Sequence, residues 1–194
     1  RLARHARRVV ALDLTREMVL AAREHLGRGC FAYVRADACA LPFGSRSIDL
    51  VSCRIAPHHF PSIEGFAREV ARVLVPAGRF LLEDSVAPED PELDRLINEL
   101  EVRRDPSHVR SYTRAEWTRV LGCAGLAVER YEVYRKRHDF REWTRIAGFD
   151  PARTHDLARW VEDWPEAARR WFEIAPGVPS YTDEKGIFLA RAGS

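Results

Sequence analysis

Val9-Val10-Ala11-Leu12-Asp13-Leu14-Thr15 is the stretch on which the fold class turns. An apolar run that meets a carboxylate at its carboxyl end is how a strand buried in a parallel sheet reads. Thr15 then suits the N-cap of a helix that carries Met18, Val19, Ala22 and Leu26 on one face and stops at Gly27. Phe31 to Arg35 is a second short strand, and Ala36 to Phe43 a loop marked by Pro42 and Gly44. Ser47 to Cys53 is a third strand. Pro57 and Pro61 bracket a turn holding His58, His59 and Phe60, before a helix through Ile63, Phe66, Val70, Val73 and Leu74. Pro76-Ala77-Gly78 is expected to end that helix, and Arg79 to Ser85 to form the fourth strand. Such alternation predicts an α/β fold with a mainly parallel sheet.

The second half changes character. Residues 91–104 read as a charged amphipathic helix, and Thr113 as the cap of a helix through Trp117, Val120 and Leu121. Leu126 to Tyr134 alternates as a strand does. The stretch 139–176 carries Trp143, Trp160, Trp164 and Trp171 and reads as short helices broken by Pro151, Pro165 and Pro176. Gly186 to Arg191 is a last strand. Arg1 to Arg8 read as a helix end running straight into the first strand, which leads us to expect residues upstream.

Composition narrows the function. Thirty-one basic and 29 acidic side chains leave a formal charge of +2, which builds no global field for nucleic acid. The basic clusters at Arg4, Arg7 and Arg8 and at Arg135-Lys136-Arg137-His138 read as solvated surface. No apolar run is long enough to span a bilayer, and no signal peptide is visible, so a cytoplasmic location is the expectation. Cys30, Cys39, Cys53 and Cys123 are scattered, which argues against a zinc knuckle or a redox dithiol. No metal site is expected.

In open α/β sheets, ligands bind beyond the carboxyl ends of the strands. Asp13, Asp37 and the segment Arg54 to His59 fall there. A carboxylate at position 13 suits the two vicinal hydroxyls of a ribose, with an N-cap or surface acid as the alternative. Asp37 suits an exocyclic amine, with Ala38 offering a backbone N–H; an Asx turn is the alternative. His58 and His59 are the acid/base candidates, since imidazole titrates near working pH, and packing or capping is the alternative.

These pieces, taken in order, resemble the class I S-adenosylmethionine-dependent methyltransferases. The run Val9 to Thr15 with Met18, then Ala36-Asp37-Ala38-Cys39-Ala40-Leu41-Pro42-Phe43, then Ser47-Ile48-Asp49-Leu50-Val51 carry the resemblance. Arg68-Glu69-Val70, Arg72-Val73-Leu74 and Pro76-Ala77-Gly78-Arg79 continue it. It covers about residues 5–130 and is strongest to the quinone-biosynthesis C-methyltransferases and their small-molecule relatives. It implies a Rossmann-like sheet in the order 3-2-1-4-5-7-6 with an antiparallel seventh strand and helices on both faces. It also implies S-adenosylmethionine as cofactor, with Asp13 on its ribose, Leu14 and Met18 beside the adenosine, Asp37 and Ala38 on adenine, and Arg54 and Ile55 near the methionine part or the substrate.

By the same resemblance, residues 1–134 and 186–194 form the core, and 135–185 a helical cap that selects a small-molecule methyl acceptor. A homodimer is compatible with it. The family's first strand and acidic glycine-rich loop have no counterpart from Arg1 onward. The strand at Val9 and the strand at Ser47 are therefore expected to lack their shared neighbour. A non-catalytic methyltransferase-like scaffold is the rival reading. A nicotinamide-dependent oxidoreductase is disfavoured by the Asp37–Pro42 loop and the antiparallel last strand.

Overall fold

The computed structural model describes residues 5–27 and 29–193. The expected helix end at Arg1–Arg4 lies outside the described residues. The elements are β1 (Val9–Asp13), α1 (Arg16–Leu26), β2 (Phe31–Arg35), β3 (Ile48–Arg54), a 3-10 turn (Pro57–His59) and α2 (Ile63–Val73). Then follow β4 (Leu74–Ala87), α3 (Pro91–Arg104), β5 (Tyr112–Thr113), α4 (Arg114–Cys123) and β6 (Leu126–Asp139). The chain closes with α5 (Phe140–Ile146), α6 (Pro151–Glu162), α7 (Glu166–Trp171) and β7 (Ser180–Ala192).

The strands form two ladders. β1 and β2 pair in parallel, from Val9 against Phe31 to Asp13 against Arg35. β3, β4, β7 and β6 form the second in that order, with β5 beside the far end of β4. β3 and β4 are parallel, whereas β7 runs antiparallel to both its neighbours. Among the described residues β1 and β3 share no ladder.

Period-2 alternation sends the two faces of the larger sheet to different cores. Phe80, Leu82 and Val86 of β4 and Phe188 and Ala190 of β7 pack with Phe66 and Val70 of α2 and Trp117 and Leu121 of α4. Ala87 and Tyr181, of opposite parity, pack on the other side with Leu96 and Leu100 of α3, Phe140 and Trp143 of α5, and Phe172. Helices thus cover both faces, as the α/β reading requires.

Local signals explain most boundaries. Thr15, Ser62, Asp90, Thr113, Asp139 and Asp150 each accept a backbone N–H at a helix start. Thr113 and Glu116 complete a reciprocal capping box. Three boundaries differ from expectation. α2 stops at Val73, and Leu74 is already extended and opposite Ile48, so Pro76-Ala77-Gly78 lies inside β4 where the ladder slips. Val75 precedes a proline, which disfavours helix there too. β6 runs on past Tyr134 to Asp139, and β7 begins at Ser180 rather than Gly186, because each strand extends the other to the pair Asp139–Ser180.

The loop after β2 is tied to the larger sheet through α2. Glu69 accepts the Leu41 N–H at 2.7 Å, and Arg72 donates to Leu41 O at 2.9 Å and Phe43 O at 2.8 Å. Arg72 also donates twice to Glu69, at 2.7 and 2.8 Å. Arg72 holds the Glu69 carboxyl below its ordinary range. We expect Glu69→Ala to speed amide hydrogen exchange from Leu41 to Phe43 while the β4 amides of the core stay protected. Unchanged exchange in the loop would show that the clamp is idle.

Candidate active site

The ends of β1 and β2 sit together. Ala36 N–H donates to Asp13 O at 3.0 Å, so Asp37 emerges beside Asp13 at one rim. Asp13 Oδ1 accepts the Thr15 N–H at 2.8 Å and the Thr15 hydroxyl at 2.9 Å. Asp37 Oδ1 accepts the Cys39 N–H at 2.7 Å, an Asx turn. Each carboxylate thus spends one oxygen on its own turn, and Oδ2 of each has no partner among the described residues. Leu14 and Met18 on the same unit are 62% and 57% exposed, an apolar rim beside two acids. Ala38 packs against the first core cluster.

The carboxyl end of β3 is a second focus. Arg54 pairs with Glu83 at 2.8 Å, and Tyr134 donates to the other Glu83 oxygen at 2.8 Å. Ile55 follows at φ +49°, a left-handed conformation strained for a β-branched residue, and its N–H donates to Glu83 O at 2.8 Å.

The two adjacent histidines of the 3-10 turn, their rings 4.2 Å apart, take different partners. Asp84, 1% exposed at the end of β4, accepts the His58 backbone N–H at 3.0 Å, the His58 Nδ1–H at 2.6 Å and the Ser85 N–H at 2.9 Å. A carboxylate only accepts, so Nδ1 carries the proton and Nε2 of a neutral His58 bears the lone pair. His59 instead turns to Ser107, with Nδ1 at 3.1 Å from both its carbonyl and its hydroxyl oxygen.

His58 lines a cleft of about 400 Å³ together with Ile55, Ser85, Glu101, His108 and Lys185. Trp143 and His138 close it from α5 and β6. The His108 ring stacks at 5.4 Å from that of His58. Its Nε2–H faces Asn98 Oδ1 at 3.2 Å, and burial together with the neighbouring imidazoles pushes its pKa down to about 4. Asn98 is oriented by the Ser111 N–H at 2.6 Å and by its own donations to Asp94. Glu101 is pushed up by burial, and Tyr181 donates to it at 3.4 Å. Asp13, Leu14, Met18, Asp37 and Ala38 do not line this cleft; Ile55 and His58 do.

Three sets of relatives place this arrangement. A methyltransferase-domain profile matches residues 1–82. The methyltransferase YcgJ of Bacillus subtilis is 35% identical over 168 residues, 85% of this chain and 66% of its own. A crystal structure from Bacillus halodurans C-125, assigned to the methyltransferases, superposes at a TM-score of 0.95 with 32% identity, covering 100% of this chain and 86% of its own.

The chain belongs to the class I S-adenosylmethionine-dependent methyltransferases.

The quinone-biosynthesis relative UbiE of Brucella canis is 29% identical over 146 residues, 73% of this chain. The chain spans 66% of the length of YcgJ and 52% of that UbiE. Several residues in and behind the cleft carry no sequence signature. Ile55 and His58 had one, since they follow the carboxyl end of the third strand. Glu101 looks like any acid on a charged helix, His108 lies in a loop, and Asp183 and Lys185 sit in a stretch too polar to read as a buried strand.

Proposed function

We propose that the protein transfers a methyl group from S-adenosylmethionine to a small molecule bound in the His58 cleft. The observation that supports this most is the buried Asp84 accepting from both the backbone N–H and Nδ1 of His58, whose ring lines that cleft. The donor set also fits the cofactor that the family implies. Asp13 Oδ2 is an acceptor for ribose hydroxyls, Asp37 Oδ2 for an adenine amine, and Leu14 and Met18 offer apolar surface to a base. Arg54 ends β3, and Ile55 after it lines the cleft.

When bound, S-adenosylmethionine supplies an electrophilic methyl group on a sulfonium. The chain's own work is then positional and acid–base. His58 Nε2 takes the proton from the acceptor's nucleophilic atom, and the buried Asp84 carboxylate stabilises the imidazolium that results. His59, held by Ser107, supports the turn that presents His58. Residues 135–185, with Trp143 and His138 facing the cleft, select the acceptor, and Tyr181 packs behind it.

Calorimetric titration with S-adenosylhomocysteine tests the cofactor half. The wild-type protein should bind it, and Asp13→Ala should weaken binding roughly ten- to a hundredfold through the lost charge-assisted hydrogen bonds. Equal affinity in wild type and variant would remove Asp13 from the site. Absence of binding by the full-length wild-type protein would return the scaffold reading.

A further inference from the structure

We propose that Lys185, on the floor of the same cleft, is an anion-binding residue, and that the methyl acceptor is a small acid whose anionic oxygen rests against its Nζ. The inference builds on the methyltransferase reading and names the acceptor's class.

Lys185, which carries an ammonium, is 5% exposed. Burying such a group is costly, and a buried ion pair adds little stability over apolar residues of the same volume. Its place in the fold supplies a reason. Lys185 of β7 lies directly opposite Ser85 of β4, so both side chains leave the sheet on one face. Both line the cleft. Nζ donates to Ser85 Oγ at 2.6 Å and to Asp183 Oδ2 at 2.7 Å. An ammonium has three N–H groups, and the third has no partner among the described residues. Because Ser85 Oγ accepts from Lys185, its own O–H is left to donate. Two donors 2.6 Å apart on one cleft wall form a match for a carboxylate or an ionised hydroxyl.

The neighbouring acids do not take up these donors. Asp183 divides its oxygens between Lys185 and His138 Nε2, the latter at 3.1 Å. Burial pushes the Glu101 carboxyl up, and its Oε1 accepts from the Tyr181 hydroxyl at 3.4 Å. Arg104, Lys136 and Arg137 also line the cleft; Lys136 is exposed, Arg137 donates to Ser180 Oγ at 2.9 Å, and Arg104 is engaged with Trp143. Arg104 stacks over Trp143 at 4.6 Å and donates to Trp143 O at 3.1 Å. Asp84, which holds His58, and Ser85, which meets Lys185, are consecutive residues. His58, Ser85 and Lys185 all line the one cleft of about 400 Å³, so an acceptor spanning from His58 to Lys185 needs only the dimensions of a small molecule.

The test is calorimetry on the full-length protein saturated with S-adenosylhomocysteine, using benzoate, 4-nitrophenolate at pH 8, benzamide and benzylamine as probes. Benzoate stands for a carboxylate and 4-nitrophenolate for an ionised hydroxyl. At least one of them should bind, which names the source of the anionic oxygen, and the amide and the amine should bind at least about tenfold more weakly. Lys185→Met should cut affinity for the anion roughly ten- to a hundredfold, and Lys185→Arg should retain most of it. If Lys185→Met fails to fold because Asp183 is left buried with one partner fewer, the double variant Lys185→Met/Asp183→Asn removes both charges and should show the same loss. Equal binding of amide, amine and anions, binding of no anion, or undiminished anion affinity in the double variant would each overturn the proposal. Failure of S-adenosylhomocysteine itself to bind would instead count against the methyltransferase reading.

Discussion

Replacement of His58 by Ala should lower kcat by roughly 10²- to 10⁴-fold, the usual contribution of a positioned general base. The measurement is release of S-adenosylhomocysteine with an acceptor that supports turnover by the wild-type protein. The size of the effect follows from how completely the ring is fixed. Asp84 receives both the backbone N–H and the Nδ1–H of His58, so ring and main chain are held by one buried carboxylate. Asp84→Asn tests the same couple from behind. An amide in that position must aim its own NH₂ at one of three donors, which tilts the ring or leaves a buried group unpaired. It should lower kcat less than His58→Ala and also lower the melting temperature, whereas His59→Ala should leave kcat within a few-fold. A His58→Ala protein that turns over at the wild-type rate would end the role assigned to this couple.

The fold was legible where chemistry and period agree. Val9 to Asp13 reads as a parallel strand because its apolar run ends on an acid, and the pairing of Asp13 with Arg35 sets Asp13 beside the loop that carries Asp37. The Thr113–Glu116 box marks a helix start in any context. The cleft was less legible for the opposite reason. Tyr181, Asp183 and Lys185 are 0%, 3% and 5% exposed and Ser180 and Thr182 are buried as well, yet only Tyr181 of the five is apolar, so a hydrophobic pattern search passes over them. Their burial depends on partners far away in sequence, Ser85 at one end and His138 at the other. The two adjacent histidines show the same limit. Nothing in Pro57-His58-His59-Phe60 says which ring meets Asp84; the 3-10 geometry and the loop holding Ser107 decide it.

Acid should destabilise the protein through His108 as pH falls from about 6.5 toward 4. Burial and the His58 and His59 rings hold its folded pKa at about 4, below the ordinary imidazole value of about 6.5. As pH falls through that window the unfolded chain takes up a proton that the folded chain refuses. The contribution of this site is therefore complete above about pH 6.5 and is lost progressively toward pH 4. Between pH 7 and pH 5 the loss should be about 1–2 kcal/mol once solvent screening is allowed for. His108→Gln removes the titration while keeping an N–H for Asn98 Oδ1, the bond His108 makes at 3.2 Å. Urea denaturation at the two pH values should show the wild-type midpoint falling further than that of the variant. Parallel curves for the two proteins would mean that His108 takes up its proton in the folded state as readily as in the unfolded one. That in turn would mean that Asn98 and the stacked His58 do not keep the ring neutral in the folded state.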